Sequence, residues 1–391
     1  MSRVPDLARQ EISATARLVV VKVGTRVLTH ARGHLDTERI ARLAEEINQL
    51  CESGRQVVLV SSGAVGAGMS LLQLVRRPSD LAQLQAVAAI GQTHLIQAYD
   101  QTFRQHGRHA AQVLLTAEDL QHRTRYLNVR NTLFSLLEFA AVPVINENDT
   151  VAVDELMTTF GDNDRLAALV TNVLRAPLLV ILSDVEGVFD GDPEDPGSQL
   201  LPCVDALDAA ARRLARDRRS GLSKGGMASK LEAARMVTAA GESVIIASGH
   251  QAGNLTRIMA GESVGTLLLA GGKSVSPWKR WIGFSARPRG TLHLDAGAAR
   301  AIATDGRSLL AIGIARVEGE FGKGDVVALC GPEGGEIARG LTNYSAVELQ
   351  RIRGLQSQRI AQVLGHRPYE EVVHRNNLTL VGNQHVSVTR N

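Results

Sequence analysis

Aromatic residues make up only 3% of this 391-residue chain, so a surface that stacks unpaired bases has little raw material. Its three cysteines, Cys51, Cys203 and Cys330, lie far apart with no CxxC pair. That excludes a disulfide framework and a thiolate zinc site, and it fits a reducing cytoplasm. No apolar run approaches the length of a bilayer, and the opening "MSRVPDLARQEISATARL" lacks the apolar core of a secretory leader. Lysine and arginine exceed aspartate and glutamate by only 43 to 40, too small a margin to require a polyanionic partner. The expectation is a cytoplasmic protein with no membrane segment and a small-molecule partner.

What the sequence does hold is aliphatic. Hydrophobic residues make up 44% of it, enough to bury a real core. From Arg17 to about Ala270, "RLVVVKV", "QVVLVS", "AAQVLLT", "VPVIN", "PLLVILS" and "SVIIAS" read as buried strands with continuous rather than alternating hydrophobicity. This is the mark of a mostly parallel sheet covered on both faces, an α/β fold. Between strands, "DTERIARLAEEINQLCESG" puts Ile40, Leu43, Ile47 and Leu50 on one helical stripe that starts near Asp36 and stops at Gly54. After "AGGKSVSPWKRW" the texture changes to short, glycine-punctuated segments typical of a small β-rich domain. The expected organisation is an N-terminal extension over 1–16, an α/β domain over 17–272, a linker over 273–282 and a β-rich domain with a tail over 283–391.

In open parallel sheets ligands gather beyond the carboxyl ends of the strands, so candidate ligand contacts are expected just after each run. Lys22 sits inside the first aliphatic run, where a charge is costly unless it faces an anion. The second run opens into "SSGAVGAGMS", which lacks the dinucleotide spacing G-x-G-x-x-G. It offers Ser62 and either an anion cradle at a helix start or a turn made small for packing. Asn146, Glu147, Asn148 and Asp149, then Asp162, Asn163 and Asp164, alternate carboxylates with amides. The spacing from Asp162 is wrong for an EF-hand, and amides beside carboxylates suit a ligand carrying both an ammonium and a carboxylate, that is, an amino acid. Ser183 and Asp184 tip the fifth run. The stretch "GLSKGGMASK", residues 221–230, is glycine-rich and precedes a helix, but it fails the Walker spacing.

Two lysines, glycine-rich cradles and an acidic-amide pocket, without a nucleophile and its base or a metal cage, match phosphoryl transfer. That reaction asks the protein mainly for positioning and positive charge. A carboxylate acceptor needs no proton removed. Magnesium would ride on nucleotide phosphates and waters, so no protein metal ligands are expected.

With "VVKVGT", "SSGAVGAG", "VPVINENDTVA", "FGDNDRLAAL", "SDVEGVF", "GGMASKLEAA" and, in the tail, "SLLAIGIARVEGEFGKGDVV", "IARGLTNYSA" and "EVVHRNN" in this order, the chain resembles the glutamate-phosphorylating branch of the amino acid kinase family. The resemblance spans about Arg17 to Leu380. It implies an open αβα sandwich followed by a PUA-like domain. The implied reaction is ATP-dependent phosphorylation of the γ-carboxylate of L-glutamate to γ-glutamyl phosphate, the first step of proline biosynthesis, with Mg2+ as cofactor.

Position by position, the resemblance implies that Lys22 and Lys230 are catalytic lysines and that Asp164 orients them. It implies glutamate contacts at Ser62, Asp149 and Asn163, with Asp162 beside them. It implies a nucleotide site at Lys22, Ser183, Asp184 and the loop Lys224, Gly225, Gly226, Met227, Ala228, Ser229 and Lys230. Feedback inhibition by proline, assembly as a dimer or tetramer, and hand-over to a glutamyl phosphate reductase are further implications. The chain departs from the family pattern at Arg26, usually a small hydroxyl residue, and at Ser183 and Lys224, both usually threonine. PUA domains also occur in RNA-modifying enzymes, but from Ser285 onward there are 13 basic against 10 acidic residues with one lysine, Lys323, a thin footprint for RNA.

Overall fold

The computed structural model describes residues 4–30, 33–152, 162–193, 195, 197–204, 226–270, 277–365 and 369–381. The chain divides into two compact units, Met1–Ser274 and Val275–Asn391.

The first unit is built on an eight-stranded sheet. Its strands are β1 (Leu18–Val23), β2 (Gln56–Ser61), β3 (Ala110–Leu115), β4 (Val142–Glu147), β5 (Leu178–Ser183), β6 (Cys203–Val204), β7 (Ser243–Ser248) and β8 (Thr266–Leu268), in the order β3-β4-β2-β1-β5-β7-β8-β6. All neighbours run parallel except β7 and β8. β4 and β5 are buried at every position, as continuous hydrophobicity requires of strands covered on both sides. β3 is the correction to the sequence reading. It lies at one edge of the sheet and is only partly buried along most of its length, because an edge strand is covered by fewer neighbours.

Alternate side chains of each strand face opposite layers. On one face Val19, Val21 and Val23 of β1, Val57 and Leu59 of β2, and Val142 and Val144 of β4 form a core with Ile40, Leu43, Ile47, Leu95, Tyr99 and Phe103. The last six come from helices Thr37–Glu52 and Leu81–Gln105. Fully burying each such aliphatic side chain contributes about 1.5–3 kcal/mol. The helix Thr37–Glu52 starts where the sequence places it, with Asp36 accepting from the Arg39 amide at 3.0 Å as an N-cap. Helix Asp162–Leu174 packs on β1 and β5 beside helix Gly226–Ala239.

The choice left open for "SSGAVGAGMS" is decided largely by packing. Gly63 adopts φ +110° as the helix cap, and a Cβ on Gly68 would lie 1.9 Å from the Val87 carbonyl oxygen. Helix Ala64–Leu71 therefore touches helix Leu81–Gln105 backbone to backbone.

The second unit contains a five-stranded sheet of β9 (Gly290–Leu294), β10 (Ile314–Gly319), β11 (Val326–Cys330), β12 (Glu336–Leu341) and β13 (Leu378–Leu380), ordered β10-β9-β11-β12-β13. Leu292, Leu329, Tyr344, Leu349, Ile352 and Ile360 lie in its separate core.

Candidate active site

Lys22 is the penultimate residue of β1 and points to the face opposite Val21 and Val23. Its Nζ lies 2.6 Å from Asp164 Oδ1, with side-chain exposures of 7% and 2%. Asp164 stands in the first turn of helix Asp162–Leu174, where the backbone dipole also favours an anion. Across from it, Lys230 in the first turns of helix Gly226–Ala239 places Nζ 3.4 Å from Asp164 Oδ2 and donates to the Gly226 carbonyl at 3.0 Å. Ser229 Oγ donates to the same Oδ2 at 2.8 Å.

One buried carboxylate thus holds two ammonium groups from different elements. Burial alone pushes the Asp164 carboxyl up, but Lys22 and Lys230 outweigh it and hold its pKa below the usual range. For Lys230, burial is the larger effect and lowers its pKa despite Asp164. The site therefore carries two lysines against one carboxylate, a surplus of positive charge suited to an anionic ligand.

On the β2 side Asn163 Nδ2 donates to Ser62 Oγ at 2.9 Å and to Asn146 Oδ1 at 3.0 Å. Ser62 follows β2 directly, Asn146 lies in β4, and Asn163 adjoins Asp164, so the acidic-amide segments meet at the carboxyl ends of adjacent strands. Asp149, in the turn after β4, is 8% exposed. Burial pushes its carboxyl up to about 6, with Arg77 pulling the other way.

At the end of β5, Ser183 Oγ donates to Asp184 Oδ1 at 2.9 Å and Arg26 Nη1 donates to Asp184 Oδ2 at 2.8 Å. Burial raises the Asp184 pKa, but the hydrogen bonds from Arg26 and Ser183 prevail and hold it low. Arg26, one of the three departures from the family pattern, is thereby tied to an expected nucleotide-site residue.

The structure brings Lys22, Asp164 and Lys230 together, joins Ser62 to Asn163, and joins Ser183 to Asp184. Ser229, expected only as part of a nucleotide loop, is bonded to Asp164. Gly226 contributes its carbonyl to Lys230, and Met227 and Ala228 complete the same helical turn. Lys224, Gly225 and the side chain of Asp162 lie outside the described residues. Sequence reasoning missed Gln92, whose Oε1 accepts from Asn146 Nδ2 at 2.9 Å. It also missed Tyr99, whose hydroxyl is 3.0 Å from Ser61 Oγ. A polar residue on the apolar stripe of a helix was the available signal. Among the described residues no cluster of three or more His, Cys, Asp or Glu is placed to hold a metal ion.

Residues 17–248 match the amino acid kinase family and residues 290–364 match the PUA domain. The chain is 52% identical over 380 residues to the glutamate 5-kinase of Rhodopirellula baltica, covering 97% of this chain and 98% of that protein. It is 45% identical over 368 residues to the glutamate 5-kinase of Moorella thermoacetica, covering 94% and 97% respectively. It is 46% identical over 374 residues to that of Pseudomonas syringae pv. tomato, covering 95% and 100%. With two lysines paired to one buried carboxylate at the carboxyl end of the central strand β1 and likeness along nearly the whole length, the chain belongs to the amino acid kinase family and, within it, to the glutamate 5-kinases.

Proposed function

We infer that this chain transfers the γ-phosphoryl group of ATP to the γ-carboxylate of L-glutamate, giving γ-glutamyl phosphate and ADP, the first step of proline biosynthesis. The observation that carries the reading is the Lys22–Asp164–Lys230 triad, 2.6 and 3.4 Å on its two sides, beside the bonded pair Ser62 and Asn163.

A carboxylate oxygen of glutamate attacks the γ-phosphorus as the bond to the β–γ bridging oxygen breaks, and the electron pair leaves with ADP. The acceptor is already ionised, so no general base is needed. Asp164 does not fill that role: its depressed pKa keeps it anionic, and it fixes the two ammonium groups. Lys22 and Lys230 supply positive charge where negative charge spreads over the phosphoryl oxygens, a kind of contribution typically worth about 10²–10³ in rate per donor. Asp149, buried and anionic above about pH 6, suits the substrate ammonium. Ser183, Asp184 and the turn from Gly226 to Lys230 face the nucleotide in this reading, as would Lys224 and Gly225. Asp162 would stand beside the glutamate contacts. Magnesium would enter on the nucleotide phosphates and supply further charge neutralisation.

The kinase domain is assigned to 17–272 and the PUA-like domain to 283–391, supported by the division between Ser274 and Val275. Cytoplasmic location, proline as feedback inhibitor, self-assembly into a dimer or tetramer, and hand-over of the acyl phosphate to a reductase go with family membership. The test is purified protein with ATP, magnesium and hydroxylamine. Hydroxamate from L-glutamate, but not from L-aspartate or N-acetylglutamate, is expected. Its absence with folded protein would remove the assignment.

A further inference from the structure

Asp164 holds its two lysines unequally. Lys22 Nζ makes a close contact, 2.6 Å from Oδ1, whereas Lys230 Nζ stands 3.4 Å from Oδ2, beyond the about 2.7–2.9 Å of a full charge-assisted bond. Exposure does not separate them, since the two lysine side chains are 7% and 10% exposed.

The difference is the other occupant of Oδ2. Ser229 Oγ stands 2.8 Å from that oxygen. Ser229 and Lys230 are consecutive on helix Gly226–Ala239, and they share two acceptors. Ser229 Oγ is also 3.2 Å from the Gly226 carbonyl oxygen, to which Lys230 Nζ donates at 3.0 Å. The direction of these bonds is fixed by the acceptors, because an ionised carboxylate and a carbonyl can only accept. Ser229 has a single proton to give, and its shorter contact is with Asp164. Lys230 is left with a neutral carbonyl as its nearer partner and the carboxylate as its farther one.

In phosphoryl transfer the negative charge to be met sits on a group that moves between two oxygens. A lysine contributes only where its ammonium reaches that charge in the transition state. An ammonium closed onto a buried carboxylate must break that contact first, and one held 3.4 Å away beside a carbonyl need not. With alanine at position 229, Oδ2 would keep only Lys230 as a side-chain donor among the described residues, and Lys230 would close upon it.

We propose that Ser229 is a positioning residue for phosphoryl transfer, its hydroxyl occupying Asp164 Oδ2 so that Lys230 stays out of a close ion pair and can meet the transferred group. This rests on the phosphoryl-transfer reading above and gives the Ser229 hydroxyl a partner other than the nucleotide.

The test compares full-length wild type, Ser229→Ala and Ser229→Thr with ATP, magnesium and L-glutamate. Single-turnover formation of ADP reports the phosphoryl step apart from product release, and steady-state kinetics give KM for each substrate. Removing a transition-state donor outright typically costs about 10²–10³ in rate. Ser229→Ala draws Lys230 aside without removing it, so the single-turnover rate is expected to fall less, roughly tenfold, with both KM values within about threefold of wild type. Ser229→Thr keeps the hydroxyl and is expected to stay within about threefold in rate. A second comparison puts Ser229→Ala on Asp164→Asn, where no carboxylate remains to capture Lys230, and the further loss there is expected to be below about twofold. An unchanged rate in Ser229→Ala, a raised KM for ATP in place of the rate loss, an equal loss in Ser229→Thr, or a full further loss on Asp164→Asn would overturn the proposal. If Asp164→Asn is too slow to assay, the first comparison decides alone. A wild-type protein that gives no hydroxamate from glutamate would instead remove the functional reading on which the proposal stands.

Discussion

Asp164→Asn is the most informative single change, because one carboxylate faces two buried ammonium groups. Lys22 is 2.6 Å from one oxygen and Lys230 is 3.4 Å from the other, with Asp164 only 2% exposed. Removing one partner of a buried pair leaves uncompensated charge and costs about 3–5 kcal/mol. Repulsion between the two lysines, no longer screened, adds to the loss. In a unit of this size each kcal/mol shifts the melting temperature by about 2–4 °C, so a fall of roughly 6–20 °C is expected. The assay is calorimetric melting of wild type, Asp164→Asn, Lys22→Met and the double variant. In the double variant one unpaired charge is gone, so it should melt above the value that adding the two single losses gives, with a coupling of about 1 kcal/mol or more.

The pH dependence has a definite sign. The folded pKa of Asp164 is depressed, so its stabilisation is fully present above the unfolded carboxylate value near 4 and is lost as pH falls through the folded value. The gap between wild type and Asp164→Asn should therefore close in acid. An Asp164→Asn protein that melts with wild type at neutral pH, and retains kcat/KM within about threefold, would refute the reasoning.

Three further outcomes are expected. Asp149, raised to about 6 by burial, takes up a proton as pH falls through that value. KM for glutamate should then rise about tenfold per pH unit below it, a slope that Asp149→Asn abolishes in KM profiles; a flat wild-type profile would exclude the role. The same raised pKa means that the protonated form is the one favoured by folding, so its contribution is present below the unfolded value and is lost as pH rises through 6. Arg26→Ala frees Asp184 from an exposed ion pair, with side-chain exposures of 65% and 30%. Stability should move by no more than about 1 kcal/mol, while KM for ATP rises several-fold and KM for glutamate does not; steady-state kinetics decide. Gly68→Ala would drive a Cβ to 1.9 Å from the Val87 carbonyl and should cost about 1–3 kcal/mol in chemical denaturation. A variant as stable as wild type would show that the two helices separate freely.

Much of the candidate site was legible because its parts sit where local rules put them. Lys22 is a charge inside an aliphatic strand, Ser183 and Asp184 end another strand, and Lys230 follows a glycine-rich stretch into a helix. Each is conspicuous within a few residues of chain. The helix over Thr37–Glu52 was legible in the same way, since a 3.6-residue stripe and an N-cap are local properties.

Pairings were not legible. That Asp164 takes both lysines was available only through the family resemblance, and that Ser229 bonds to Asp164 and Arg26 reaches Asp184 depends on contacts across 65 and 158 residues of chain. Gln92 could be noticed as a polar residue on an apolar stripe, but its partner Asn146 lies 54 residues away. The glycines of "SSGAVGAGMS" illustrate the division. Sequence allows either an anion cradle or close packing, and only the neighbouring backbone of Val87 shows which constraint acts on Gly68. By itself the sequence determined the strands, the helices and the chemical types at the strand ends, because propensity and periodicity are local. The tertiary structure decided which charges neutralise one another and which polar side chains meet, because those are set by distance and burial between segments that the chain order keeps apart.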